Sequence, residues 1–235
     1  MNIWKLVAGL IATTPLVSCA VIGDATAPIF DTFQREYSAK AITIMIVDED
    51  TGAPLEGVIT TANWELVTGS YAGGSVVRGQ LKILETESGK DGRIYFPTWG
   101  PEPNRHGGHI RDADPQIFLY KPGYKPVRLT NFNRFMNLPH PEIPGGYSHE
   151  SVRHSLWDRE TIKLAKVSST KYVYLHTTLS GIVSGLDFAF SDSDCKWKLI
   201  PRMTSALLNE KAIGHHRLNE KECGSAASVL KGLLK

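Results

Sequence analysis

The residues best suited to chemistry in this chain are histidines and carboxylates in two polar stretches. "RHGGH" sets His106 and His109 three apart, with Asp112 and Asp114 close behind. Two imidazoles and a carboxylate would hold a divalent metal, and a metal with an open position supports hydrolysis. The Gly-Gly pair between them makes no fixed tetrahedron, and the spacing indicates no third histidine, so a solvated loop is the competing reading. His140, His149 and His154 lie in a second stretch with Glu142 and Glu150. If the two stretches met, a histidine rim would bind metal or sense pH near neutrality. Asp48, Glu49 and Asp50 resemble the start of a calcium loop, but the Gly and distal Glu of an EF-hand do not follow. They read as turn formers. Glu85 and Glu87 are two apart on an expected strand, as an acid/base pair or as two solvent-facing side chains. Trp64, Trp99, Tyr95, Tyr120 and Tyr124 could form a sugar platform, although Trp64 and Tyr95 fall at strand positions suited to a core. No G-x-S-x-G, H-E-x-x-H or P-loop occurs. No catalytic residue is assigned, and no cofactor is expected beyond the metal alternative at His106 and His109.

These groups must be carried by short strands. "AITIMIVDED" has apolar residues on both faces, as in a sandwich core. "DEDTGAPLEG" is a turn, after which Leu55 can tuck inward. "GVITTANWEL" is the return strand, "GSYAGGSVVRG" a Gly/Ser-rich loop and "QLKILETES" the next strand. "GKDG" then turns the chain into "RIYFPTW", a hairpin signal. A polar loop over 101–114 leads to "PQIFLY", a Pro122-Gly123 turn of type II chemistry, and "KPVRLT". Residues 131–158 have no period and read as a long loop, before the last strand "RETIKLAKV". Strands at this spacing predict a mainly β fold, an antiparallel β-sandwich over 40–167. Beyond it, over 168–235, the period becomes helical. Tyr172, Leu175, Leu179, Ile182, Leu186 and Phe190 form one stripe. Ile200, Met203 and Leu207 continue it in a second helix, with Pro201 near its start and Gly214 as a possible end. "SAASVLKGLL" is a third. So small a helical segment is expected to pack on the sandwich.

The ends supply an address. Residues 1–18 read as a signal peptide, whose apolar segment is too short to span a bilayer. "LVSCA", Leu16 to Ala20, resembles the lipobox of bacterial lipoproteins. That resemblance implies cleavage before Cys19, lipidation of Cys19, and a tether over 19–39 with a helical turn near Phe30–Tyr37. Ala20 in place of Asp favours the outer membrane, facing the periplasm. Cleavage removes one charged residue, Lys5, so the formal charge falls from +2 to +1. A balance so near neutral gives no case for nucleic-acid binding. In an oxidising envelope compartment the remaining cysteines, Cys195 and Cys223, read as one disulfide closing a loop of about 28 residues. The alternative, a catalytic thiol, lacks a supporting constellation.

"VDEDTGAPLEGVIT", "ETESGKDGRIYFPTWG" and "DPQIFLYKPGY" resemble the carboxypeptidase regulatory-like family, a transthyretin-like sandwich. The matching motifs are turn chemistry and core positions, which imply a fold and no activity. The hydroxyisourate hydrolases of transthyretin type carry a C-terminal Tyr-Arg-Gly-Ser, where this sequence has "KGLLK". The expected role is a membrane-anchored, non-catalytic binding or structural module with a protein or glycan partner. The alternatives are a metal-dependent hydrolase using the histidine loops, or an accessory subunit of an envelope complex.

Overall fold

A computed structural model describes residues 36–69, 74–132, 151–168, 179–190 and 194–234. Cys19, the signal segment, His140, His149, Tyr172 and Leu175 lie outside the described residues. The chain is mainly β. Its strands are β1 (Glu36–Ala39), β2 (Ile42–Asp48), β3 (Ile59–Gly69), β4 (Ser75–Glu87), β5 (Arg93–Phe96) and β6 (Trp99–Pro103). They continue as β7 (His109–Ile110), β8 (Gln116–Tyr120), β9 (Val127–Leu129), β10 (Val152–Arg153) and β11 (Thr161–Leu164). Among the described residues these form three sheets, ordered β10-β1-β6, β11-β2-β5 and β4-β3-β8-β9, with β7 also on β3. Most pairs are antiparallel, but β10 runs parallel to β1 and β11 parallel to β2.

Alternation along the strands builds the core between the sheets. Ile42, Ile44 and Ile46 of β2 pack with Ile94 and Phe96 of β5 against Ala62, Trp64 and Leu66 of β3. Trp64 meets Trp99 edge-on, with centroids 5.1 Å apart. The turn after β2 is held by Asp48, as its D-x-x-T-G setting predicts. Its Oδ1 accepts hydrogen bonds from the backbone N of Asp50 and Thr51 and from Thr51 Oγ1, at 2.9–3.0 Å. Leu55 is buried after it, as expected. Gly92 has φ +73°, and a Cβ there would stand 2.4 Å from Ile46 O, so only glycine fits this crossing.

Several expectations are corrected. Residues 36–39 belong to a strand, not to the tether or a helical turn, because Tyr37 and Ala39 are buried between β6 and β10. "SVVRG" is not loop. It extends β4 along β3 as far as Ser75, through two register shifts that leave Leu81 and Arg78 without a partner in the ladder. β4 and β5 do not form a hairpin: β4 pairs with β3 and β5 with β2, so "GKDG" carries the chain from one sheet to another. Turn chemistry sets a reversal but not the partner. Within the two stretches read as loops, β7 and β10 make short ladders.

The helical unit comprises α1 (Ser180–Gly185), α2 (Asp187–Phe190), α3 (Pro201–Asn209), α4 (Glu220–Cys223) and α5 (Ala226–Leu233). The apolar stripe is buried as read, at Leu179, Ile182, Leu186 and Phe190, although the helix breaks between α1 and α2. Pro201 opens α3, but α3 ends before Lys211, a left-handed residue, rather than at Gly214. Cys195 and Cys223 are bonded, with Cα atoms 5.6 Å apart. The unit packs on the outer face of the β3–β8 sheet, where Phe118 and Tyr120 join its core.

Candidate functional site

On β3 the even positions fill the sandwich core, so Thr61, Asn63 and Glu65 face outward, toward the helices. The ladders set Asn63 opposite Gln116, Glu65 opposite Gln80, and Phe118 opposite Arg128. A patch of polar side chains thus lies on a face that the helical unit only partly covers. Between them is a cleft of about 800 Å³. Gln80, Glu65, Gln116 and Arg128 form its sheet side. Gly181, Ser184 and Gly185 of α1 form the helical wall, whose small residues leave the space open. A Cβ on Gly185 would stand 2.3 Å from Phe118 Cε1, so the backbone of α1 lies directly on that ring. Arg78, His106 and Arg111 close one side, and Asp194 and Lys196 another.

Ion pairs order these side chains. Arg111 Nη2 stands 2.9 Å from Glu65 Oε2, and Gln80 donates to Glu65 Oε1. Arg128 donates to Gln116 Oε1 and lies 5.6 Å from the Phe118 ring centre. Lys196 pairs with Asp194 at 3.5 Å, and Arg217 with Asp187. Beneath the cleft is a buried network. Asp114 is fully buried, and its Oδ2 accepts from the backbone N of Glu65. Burial pushes its pKa up to about 7. The Glu65 N–H, Arg111 and Arg153 oppose that rise, and the Glu65 carboxylate adds to it. Arg153 donates to Arg111 O, and Asn131 to Asp114 O and His154 O. Glu65 and Arg111 are therefore anchored from below.

The sequence-predicted residues scatter. His106 lines the cleft, whereas His109 sits in β7, paired with Val67. Asp114, a possible carboxylate for that pair, is instead buried in the network. Among the described residues, no three His, Cys, Asp or Glu side chains are grouped to hold a metal. The aromatic residues share no open face, for Trp64, Trp99 and Tyr120 are buried. Tyr95, expected in the core, is 56 % exposed because β5 turns Ile94 and Phe96 inward. Glu85 and Glu87 do not both face solvent. The Glu85 side chain is only 4 % exposed and accepts from the backbone N of Arg202 and Met203, both at 2.9 Å. It caps the first turn of α3 from the sheet face on which the helices pack, while Glu87 accepts from Arg202 Nε. The cleft residues Glu65, Arg111, Arg128 and Lys196 carry no motif. Only the ladder register and the docking of the helices bring them together.

No known protein family matches this chain, and no curated protein does. Among solved structures it is similar to a streptococcal ancillary pilin, at 16 % identity and TM-score 0.25, over 55 % of this chain and 30 % of that one. It is also similar to the pilus 2b backbone protein of group B streptococcus, at 15 % identity and TM-score 0.26, over 55 % and 42 %. A third similarity is to 3-chlorocatechol 1,2-dioxygenase from Rhodococcus opacus 1CP, at 15 % identity and TM-score 0.29, over 58 % and 62 %. The chain spans less than two thirds of each of these structures.

Proposed function

We propose that this chain is a lipid-anchored envelope module that binds a partner in the cleft between its sandwich and its helical unit. One observation carries the binding reading: a preformed cleft of about 800 Å³ whose polar groups are held by ladders, ion pairs and a buried network. Sites for small ligands are typically concave, already formed and of this size. The lipobox-like Leu16–Ala20 supports attachment through Cys19, and the signal-peptide pattern before it supports an envelope address facing the periplasm. The turn motifs support a carboxypeptidase regulatory-like sandwich, a fold that serves as a scaffold and brings no catalytic group with it. The role is therefore recognition or structural support, with protein or glycan as partner.

The test is capture of solubilised envelope material by the full mature protein, read by mass spectrometry, against Ser184→Trp. Ser184 is exposed on the cleft wall, and an indole there fills the space. Loss of the captured material in the variant supports the cleft as the binding surface; equal capture overturns it. Incorporation of labelled palmitate into wild type but not into Cys19→Ala tests the anchor.

A further inference from the structure

We infer that the cleft takes a neutral oligosaccharide, with the side-chain amides of Gln116 and Gln80 as the groups that read its hydroxyls. This rests on the reading of the cleft as the binding surface. Most charged side chains along the cleft are already engaged. Arg111 pairs with Glu65, Lys196 with Asp194 and Arg217 with Asp187, while Arg128 donates to Gln116. Arg78 and His106 stand exposed at the edge. The sheet side of the cleft therefore offers a ligand amide chemistry more than charge.

Gln116 lines the cleft although it is only 5 % exposed. Its Oε1 accepts from Arg128, which fixes which way round the amide lies, because a flipped amide would set its nitrogen against a guanidinium donor. Its Nε2 has no acceptor among the described residues. A donor held so deep and left unpaired costs free energy, and a ligand that accepts from it recovers that cost. Because the amide is already oriented, little is lost in ordering it on binding. Gln80 supplies the complement. Its Nε2 donates to Glu65 Oε1, which leaves its own Oε1 as an acceptor without a partner among the described residues. β4 and β8 flank β3, so the two amides stand two strand spacings apart across the sheet, roughly 10 Å, which is room for linked sugar rings. Ser184 adds an exposed hydroxyl from the helical wall, and Phe188 a half-buried ring. Sugar hydroxyls both donate and accept, so one ligand can satisfy Gln116 and Gln80 while its C–H face meets Phe188. An anion would have to displace Glu65 or Asp194 from its cation. A peptide backbone pairs best with a strand edge, and here it would meet the face of a sheet.

Titration calorimetry on the full mature protein, in a detergent without a sugar headgroup, tests this with chitotriose, maltotriose, digalacturonate and trialanine. At least one of the neutral sugars, chitotriose or maltotriose, is expected to bind, with an affinity that salt leaves unchanged. Digalacturonate and trialanine are expected not to bind. Gln116→Met keeps the length of the side chain and removes the donor. It should weaken the sugar roughly five- to tenfold, the effect of one hydrogen bond lost. Arg128 is exposed and turns to water in that variant. Gln80→Met, at a half-buried position, gives a second reading should the first variant unfold. No sugar binding up to about 10 mM, far weaker than a useful site, overturns the inference. So do affinities unchanged in both variants, or digalacturonate or trialanine binding more tightly than either sugar. The cleft is judged apart from its ligand: digalacturonate or trialanine binding that Ser184→Trp abolishes keeps the cleft and discards the sugar.

Discussion

Three carboxylates show how environment decides what a residue does. Asp48 sits against Lys166 Nζ at 3.0 Å, the Thr51 amide and Tyr124 Oη, and these hold its carboxyl far below the usual aspartate range, Lys166 foremost. Its contribution to stability is present above the unfolded aspartate pKa and is lost as pH falls below it. Asp114 behaves in the opposite sense. Its folded pKa of about 7 lies well above the ordinary aspartate value, so its neutral form is the one that folding favours. Its contribution is full below pH 4 and falls away as pH rises to about 7, by up to about 1.4 kcal/mol per unit. Asp114→Asn should flatten that fall, since an amide oxygen still accepts from Glu65 N–H and carries no charge to desolvate. Urea midpoints of both proteins between pH 4 and 8 measure it, and parallel profiles would refute it. Glu85 is the third. Burial raises its pKa, while the amides of Met203 and Arg202 oppose the rise. Glu85→Ala orphans two helix N–H groups and should cost about 1–3 kcal/mol in denaturant unfolding, with Glu85→Gln closer to wild type.

At the scale of elements, the local pattern named the strands but not their partners. "GKDG" reads as a hairpin because Gly and Asp favour reversal, yet β5 finds β2 and not β4. Ile94 and Phe96 are buried by facing the β3 sheet across the core, which needs β5 in the opposite layer. The helical unit is likewise local in period and tertiary in placement. Closing a 28-residue span should stabilise it by about 3.6 kcal/mol in the chain-entropy model. Cys195→Ala with Cys223→Ala should lower the unfolding free energy by that order and raise amide exchange in α3 and α5 more than in β2. Uniform exchange would contradict the staple. Gly185→Ala drives a methyl group into Phe118 and should cost about 1–3 kcal/mol, read from thermal unfolding.

For the whole molecule, the outer sheet face is the decisive feature. Phe118 and Tyr120 are fully buried because the helices cover them, so the sandwich is not finished by its own strands. Truncation after Ser168 should expose that face and give dye binding and self-association, measured by fluorescence and light scattering. A monomeric, dye-silent product would show that the sandwich stands alone. Sequence by itself determined the mainly β class, the Asp48 turn, the buried Ile42–Ile44–Ile46 face, the helical stripe through Leu186 and the Cys195–Cys223 pair. These follow from short-range rules: side-chain period, turn chemistry and cysteine count. Tertiary structure alone decided that β5 crosses to β2, that Glu85 caps α3, and that Glu65, Arg111, Arg128 and Lys196 share a cleft. Each of these depends on which strand lies beside which, and on helices docking more than a hundred residues along the chain. Hydrophobic burial is non-directional and settles only when the whole chain closes on itself.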